Sequence, residues 1–173
     1  MKAVLVLLLL AAACAFAQDP AAIAAAESAC GPKEVRFNAE RDSTQHPAPQ
    51  AESDKALVYV VQDIGENQCR GCALTRVGVD GSWVGANQGS SYFFFTATPG
   101  EHHVCVNWQS VLGWRAKAFG MADFTAEAGK VYYFRSKFFF EKAQYSFDLA
   151  PINSDQGKYM VALSAYCVSN PRK

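Results

Sequence analysis

The chain has 173 residues, with 16 basic and 16 acidic side chains and a formal net charge of zero; half of it is hydrophobic and only 18% is charged. That balance excludes a disordered charged tail, a nucleic-acid-binding arm and a coiled coil, each of which needs a charge bias or a heptad-rich composition. Beyond the first segment no apolar run approaches the roughly 18 residues that span a bilayer, and the remaining length suits one domain with its own core.

Residues 1–17 read as a secretory signal peptide. Lys2 is the charged start, Ala3 to Ala13 the apolar stretch, and Ala15-Phe16-Ala17 a small-x-small cleavage site. A rival cut lies at Cys14, where Leu10-Ala11-Ala12-Ala13-Cys14 is a weak match to a lipoprotein site that would leave the cysteine as a lipid anchor. Such sites favour leucine three positions before the cysteine, and Ala11 stands there. Export places Cys30, Cys69, Cys72, Cys105 and Cys167 in an oxidising compartment, where five thiols allow two disulfides and one left over. All five are disulfide candidates; their connectivity does not follow from spacing.

Ala21 to Ala29 is alanine-rich and helix-prone but short. Residues 31–54 are polar, with prolines at 32, 47 and 49. Proline lacks the N–H that a ladder or helix needs, so residues 18–54 read as a leader and extended linker ahead of a domain over 55–173.

The character changes at Lys55. Ala56-Leu57-Val58-Tyr59-Val60-Val61 is β-branched and aromatic, a strand. Within the polar loop that follows, Cys69-Arg70-Gly71-Cys72 has three readings. A thioredoxin-like pair needs a helix after the first cysteine, but Leu74 to Val79 alternates like a strand. Zinc needs more ligands, and only His102, His103 and Cys105 offer themselves. A structural disulfide is the reading the sequence favours.

Asp80-Gly81 is a hairpin turn, since both residues tolerate positive φ. Further strands follow at Trp83 to Ala86, Ser91 to Ala97, His102 to Gln109, Ala118 to Thr125, Val131 to Phe138 and Gln144 to Leu149. Between them lie turns at Asn87-Gln88-Gly89, Thr98-Pro99-Gly100-Glu101 and Ala128-Gly129-Lys130. Along His102 to Trp108, alternation puts His102, Val104, Val106 and Trp108 on one face, and His103, Cys105 and Asn107 on the other. From Asn153 the period becomes helical: capping residues lead into Tyr159, Leu163 and Tyr166, a short C-terminal helix despite Gly157. The fold expected is an all-β antiparallel sandwich of about seven to eight strands with that helix.

The order Leu57-Val58-Tyr59-Val60, Val79-Asp80-Gly81-Ser82-Trp83-Val84-Gly85, Tyr92-Phe93-Phe94, Pro99-Gly100-Glu101-His102 and Ala128-Gly129-Lys130-Val131-Tyr132-Tyr133-Phe134-Arg135 resembles the bacterial DUF2846 family, of unknown function, over about Ala56 to Ala162. It is distantly similar to PEGA-type surface modules, which share the D-G and P-G-x-H pattern. The resemblance implies an exported or envelope-associated β-domain and supplies no activity or catalytic residue. The cysteines, the proline-rich leader and the Trp114 loop lie outside it.

Catalytic patterns are weak. Gly-x-Ser-x-Gly and His-Glu-x-x-His are missing from the sequence. His102 and His103 follow a Pro-Gly turn and point to opposite faces, so they do not chelate one ion together. Asp54 with Asp63, and Glu141 with Asp148, are acidic pairs of a kind any chain this long offers.

The aromatics are the better binding candidates. Trp83, Tyr92, Phe94, Trp108, Trp114, Tyr132 and Phe138 to Phe140 exceed what one small core needs. Trp114 and Arg115 sit in a loop, and alternation turns at least one of Phe138 to Phe140 outward. Trp114, Arg115 and Phe139 are therefore the expected ligand-binding residues.

The sequence points to an exported bacterial envelope module that binds or scaffolds an envelope protein or glycan, without catalysis, cofactor or nucleic acid. The alternatives are a small periplasmic metal or redox protein using Cys69, Cys72, His103 and Cys105, and a carbohydrate-binding accessory module.

Overall fold

The computed structural model describes residues 19–64, 74–110, 118–141 and 144–172, and only the backbone of Phe140, Glu141 and Gln144. The expected signal peptide with its rival cut at Cys14, the Cys69–Cys72 pair and the Trp114–Arg115 loop lie outside these residues.

Among the described residues, ten strands and two helices follow in the order α1 (Pro20–Ser28), β1 (Phe37–Asp42), β2 (Ala56–Asp63), β3 (Leu74–Val79), β4 (Ser82–Gln88), β5 (Ser91–Ala97), β6 (Gly100–Trp108), β7 (Phe119–Ala126), β8 (Val131–Glu141), β9 (Gln144–Ile152), α2 (Ser154–Leu163) and β10 (Ala165–Pro171). They form an all-β sandwich of a six-stranded sheet, order β1-β10-β5-β2-β8-β9, on a four-stranded sheet, order β4-β3-β6-β7. The Asp80-Gly81 turn has φ of 49° and 82°, the positive pair that a primed hairpin turn requires.

The sandwich departs from the expected outline in three places. Two pairings, β2 with β8 and β10 with β5, are parallel. The chain visits the smaller sheet between β2 and β8, and α2 forms part of the route from β9 to β10, so neither pair needs a tight hairpin. The linker over 31–54 contains β1, a charged edge strand in which Phe37 alone is buried. Tyr166 belongs to β10, not to the helix, and pairs with Tyr92 and Asp42.

The core between the sheets is built from Val58 and Val60 of β2, Val77 of β3, Val104, Val106 and Trp108 of β6, Phe134 and Phe138 of β8, and Phe147 and Leu149 of β9. The opposite face of the large sheet is also apolar: Leu57, Tyr59, Val61 and Tyr92 form a second buried cluster. α2 covers part of it. Its N-cap Asn153 accepts from the Gln156 amide at 2.9 Å, and Met160 and Val161 pack on the cluster while Tyr159 and Leu163 face solvent. The expected Tyr159–Leu163 stripe is therefore the outer side of the helix. Gly157 explains itself here: a Cβ would lie 2.2 Å from Cγ of Tyr133, so only glycine lets the helix sit on that ring.

The leader is fastened across the smaller sheet. Cys30 and Cys105 form a disulfide with a Cα–Cα distance of 5.6 Å. The Gly81 amide donates to the Ala29 carbonyl at 2.5 Å, and Trp83 Nε1 donates to the Pro32 carbonyl at 2.8 Å. Arg76, buried and lying 4.1 Å over the Trp83 ring, donates to the carbonyls of Lys33 and Val35 and to Asn107. The Gln109 side chain bonds both backbone groups of Phe37, as a neighbouring strand would.

Two outcomes follow. Gly157→Ala gains about 1 kcal/mol of helix propensity but forces an overpacked contact costing roughly 1–3 kcal/mol, so its thermal midpoint falls; a rise would mean that α2 is not seated on Tyr133. Replacing Cys30 and Cys105 by serine opens a link across 75 residues and lowers stability by roughly 4 kcal/mol on a chain-entropy argument. Denaturant melts check this, and an unchanged midpoint contradicts it.

Candidate functional site

The outer face of the large sheet carries a tyrosine-lined cleft. Tyr92, Tyr59 and Tyr133 come from β5, β2 and β8, three adjacent strands. Tyr59 and Tyr133 are direct register partners, and their rings stack at 5.1 Å and 11°. Tyr92 tilts against Tyr59 at 6.1 Å and Tyr166 at 5.5 Å. Alternation along each strand fixes this: residues that are not in the inter-sheet core must point here. The cleft measures about 470 Å³; its other walls are Val131, Lys158, Val161 and Ala162, with the segment His46-Pro47-Ala48-Pro49 on one side.

That segment is a strap without regular secondary structure. Tyr92 Oη donates to the Pro47 carbonyl at 3.3 Å, and the His46 ring stacks on Tyr92 at 6.4 Å and 18°. Tyr92 is fully buried, packed also against Tyr59 and Tyr166. Burial, followed by the neighbouring Tyr133 and Tyr92, pushes the Tyr59 phenol up to about 12. Burial likewise raises Tyr92 and Tyr133, so these hydroxyls remain neutral donors at physiological pH. Together with the Lys158 ammonium, they give an apolar concavity a few polar groups, as binding sites for small or extended ligands have.

A second cavity, about 320 Å³, lies beside the disulfide, where Ala26 and Ala29 face His103, Met121 and Asp123. It has no aromatic wall.

The residues expected from the sequence are placed elsewhere. Phe139 is half-buried beside Lys137, whose Nζ lies 5.2 Å from the ring centre. It stands six positions along β8 from Tyr133, about 20 Å away, and does not line the cleft. Phe138 is in the core, T-stacked on Trp108 at 4.8 Å. Cys105 is committed to Cys30, and Cys167 is a buried free thiol whose pKa burial raises. His103 is exposed. Among the described residues no three His, Cys, Asp or Glu side chains cluster to hold a metal.

His102 has a structural task. Its Nδ1 lies 2.6 Å from Asp80 Oδ2 and its Nε2 2.7 Å from the Thr98 carbonyl. Two acceptors require two donors, the protonated ring. Burial pulls the His102 pKa down, but the Asp80 and Thr98 hydrogen bonds and the Asp80 charge outweigh it, leaving it above the ordinary 6.5. Burial raises Asp80, and the hydrogen bonds from His102 and the His103 amide, with the charge of His102, outweigh that and hold it below 3.8. The D-G and P-G-x-H stretches of the sequence thus meet and tie two turns together.

The fold and cleft define a two-sheet β-sandwich whose large sheet is covered on both sides, with a recess beneath the outer cover. A family model for a protein of unknown function, DUF2846, matches residues 52–147. That is more than half of the chain, which belongs to the DUF2846 family. No curated protein and no solved structure matches the chain. The match contains Tyr59, Tyr92 and Tyr133 as well as Asp80 and His102, whereas the strap, α2 and β10 lie outside it.

The sequence signal for the cleft was available in Leu57-Tyr59-Val61 and Tyr92-Phe94. These positions alternate with core residues yet are themselves apolar or aromatic, which implies a covering layer.

The Asp80–His102 pair gives a pH signature. His102 stabilises the fold fully below pH 6.5 and progressively less as pH rises through its higher folded value; Asp80 contributes above pH 3.8 and loses its contribution as pH falls through its lower one. The difference in melting temperature between wild type and Asp80→Asn is therefore greatest between these two values and shrinks as pH rises beyond. A difference independent of pH contradicts the ionic pairing.

Proposed function

We propose that this protein is an exported envelope module without chemistry of its own, and that it binds its partner through the tyrosine cleft. The observation that carries this reading is the set of three tyrosines on adjacent strands, walling a recess of about 470 Å³ whose cover is an irregular strap and the helix α2. Export is supported by the secretory character of residues 1–17 and by the Cys30–Cys105 disulfide, a bond that persists in oxidising compartments. The rival metal or redox reading loses Cys105 to that disulfide. Of the residues of the carbohydrate reading, Phe139 stands away from the recess, and Trp114 and Arg115 lie outside the described residues.

Two measurements test the proposal. Intact mass of protein recovered from the envelope fraction is expected to correspond to a chain without residues 1–17 and with at least one disulfide; retention of that segment, or a mature chain beginning at a lipidated Cys14, overturns simple export. Protein labelled with fluorotyrosine is titrated with envelope oligosaccharides and peptides. The resonances of Tyr59, Tyr92 and Tyr133 are expected to shift first; shifts confined to the neighbourhood of Phe139 would move the site.

A further inference from the structure

We propose that the tyrosine cleft receives proline-rich extended peptide segments, and that residues 46–49 are a tethered copy of such a ligand, held in place until a partner's segment displaces them. This rests on the cleft being the binding site and names the chemistry of what it binds.

The first ground is the contact itself. Pro47 is held by its carbonyl, which accepts from Tyr92, while the ring of its neighbour His46 is nearly parallel to the same ring, offset at 6.4 Å. Aromatic ridges with a hydroxyl directed at a backbone carbonyl are what proline-rich segments are recognised by in general, because each proline leaves its carbonyl free and carries no N–H to satisfy. The stacked Tyr59 and Tyr133 cover each other's faces, and Gly157 brings α2 onto Tyr133. This pair thus offers ring edges and hydroxyls, not the open ring face on which a sugar would stack, and the Tyr92 ring is the one that His46 lies against.

The second ground is the strap's own sequence. Gln45-His46-Pro47-Ala48-Pro49-Gln50 has proline at alternate positions. Each proline fixes its own φ and restricts the residue before it to extended backbone. Four consecutive residues are therefore pre-ordered toward the polyproline conformation, which lowers the entropy lost on binding.

The third ground is that connectivity does not force the strap onto the tyrosines. Residues 43–55 join the end of β1 to the start of β2. Those strands are three places apart in the sheet, about 14 Å, and the two ends are offset by about five residues along β2, about 17 Å. The resulting span of roughly 22 Å is about half of what thirteen residues can reach. Asp42 is level with Tyr166 and Tyr92, so the route to β2 passes this ring; with that much slack the chain is not pulled taut over Tyr92, and it can leave without unravelling β1 or β2.

The test uses a fluorescent peptide of residues 43–51 and the full chain carrying His46→Gly, Pro47→Ser, Ala48→Gly and Pro49→Ser. The variant is expected to bind the peptide at least tenfold more tightly than wild type, in which the tethered segment competes at high effective concentration. A peptide with alanine at both proline positions is expected to bind the variant at least fivefold more weakly, and adding Tyr92→Phe to weaken the parent peptide several-fold. Equal affinity of variant and wild type, or of the two peptides, overturns the proposal.

If the variant does not fold, wild type labelled with ¹⁵N and titrated with millimolar peptide decides. The amides of Gln45 and Gln50 move to random-coil positions with the proline peptide and stay with the alanine one; immobility with both overturns it. Oligosaccharides that shift the cleft tyrosines where the peptide does not would leave the cleft as a site and refute the ligand class. No shift by either refutes both.

Discussion

The strand β2 sets the constraint that the rest of the molecule meets. All seven residues from Ala56 to Gln62 are buried, on both faces of the sheet. Antiparallel sheets often leave one face to water; this mixed sheet cannot, because Leu57, Tyr59 and Val61 alternate with Ala56, Val58 and Val60. The inner set is covered by the smaller sheet, to which β2 also reaches through Asn87, whose amide donates to the Val60 carbonyl at 3.0 Å. Among the described residues, α2 and the strap cover the outer set. A ten-residue helix with glycine at its contact point covers one side closely. A proline-rich strap covers the other by a few contacts and leaves a recess. The candidate site is thus where a full layer is replaced by a partial one, and the tyrosines suit that place because each has an apolar body and a hydroxyl that can meet a polar partner.

The parts of the chain outside the family match supply this cover. The matched region, residues 52–147, contains the whole smaller sheet and β5, β2 and β8 of the larger. Before it come α1, β1 and the strap; after it come α2 and β10. β1 and β10 pair with each other along their full length, and β10 joins the sheet beside β5 through a short parallel pairing. At that corner Ser169 Oγ accepts from the Ala86 amide at 3.0 Å, linking the two sheets. The disulfide, the Trp83–Pro32 bond and the Arg76 contacts then hold the leader down before it reaches β1. A tethered segment that is displaced between two such anchors returns readily, as a competing ligand in the same chain should.

Much of the β framework was legible because turn chemistry is local. Asp80-Gly81, Pro99-Gly100 and Ala128-Gly129 punctuate the strands from within, and β5 was readable to the residue. The hidden elements fail for reasons that are not local. β1 sits among prolines and is charged, as an edge strand tolerates, so its partner and not its sequence makes it a strand. Tyr166 fell at helical spacing from Tyr159, but Ser164 ends the helix in extended backbone, so the spacing was coincidental. The Cys30–Cys105 link joins residues 75 apart, which no spacing rule could pair. Alternation turns Phe139 outward, and the same alternation turns Tyr59 and Tyr133 to the outer face, where an apolar surface implies a cover and not surplus core.

A displaceable strap requires that residues 46–49, and not the sheet alone, bury Tyr92. Hydroxyl-radical footprinting with mass spectrometry measures this directly. Tyr92 is expected to be protected in the intact chain and to become reactive when residues 46–49 are replaced by glycine and serine, while core Phe134 stays protected in both. A Tyr92 that is reactive in the intact chain, or that remains protected without the strap, would contradict the account.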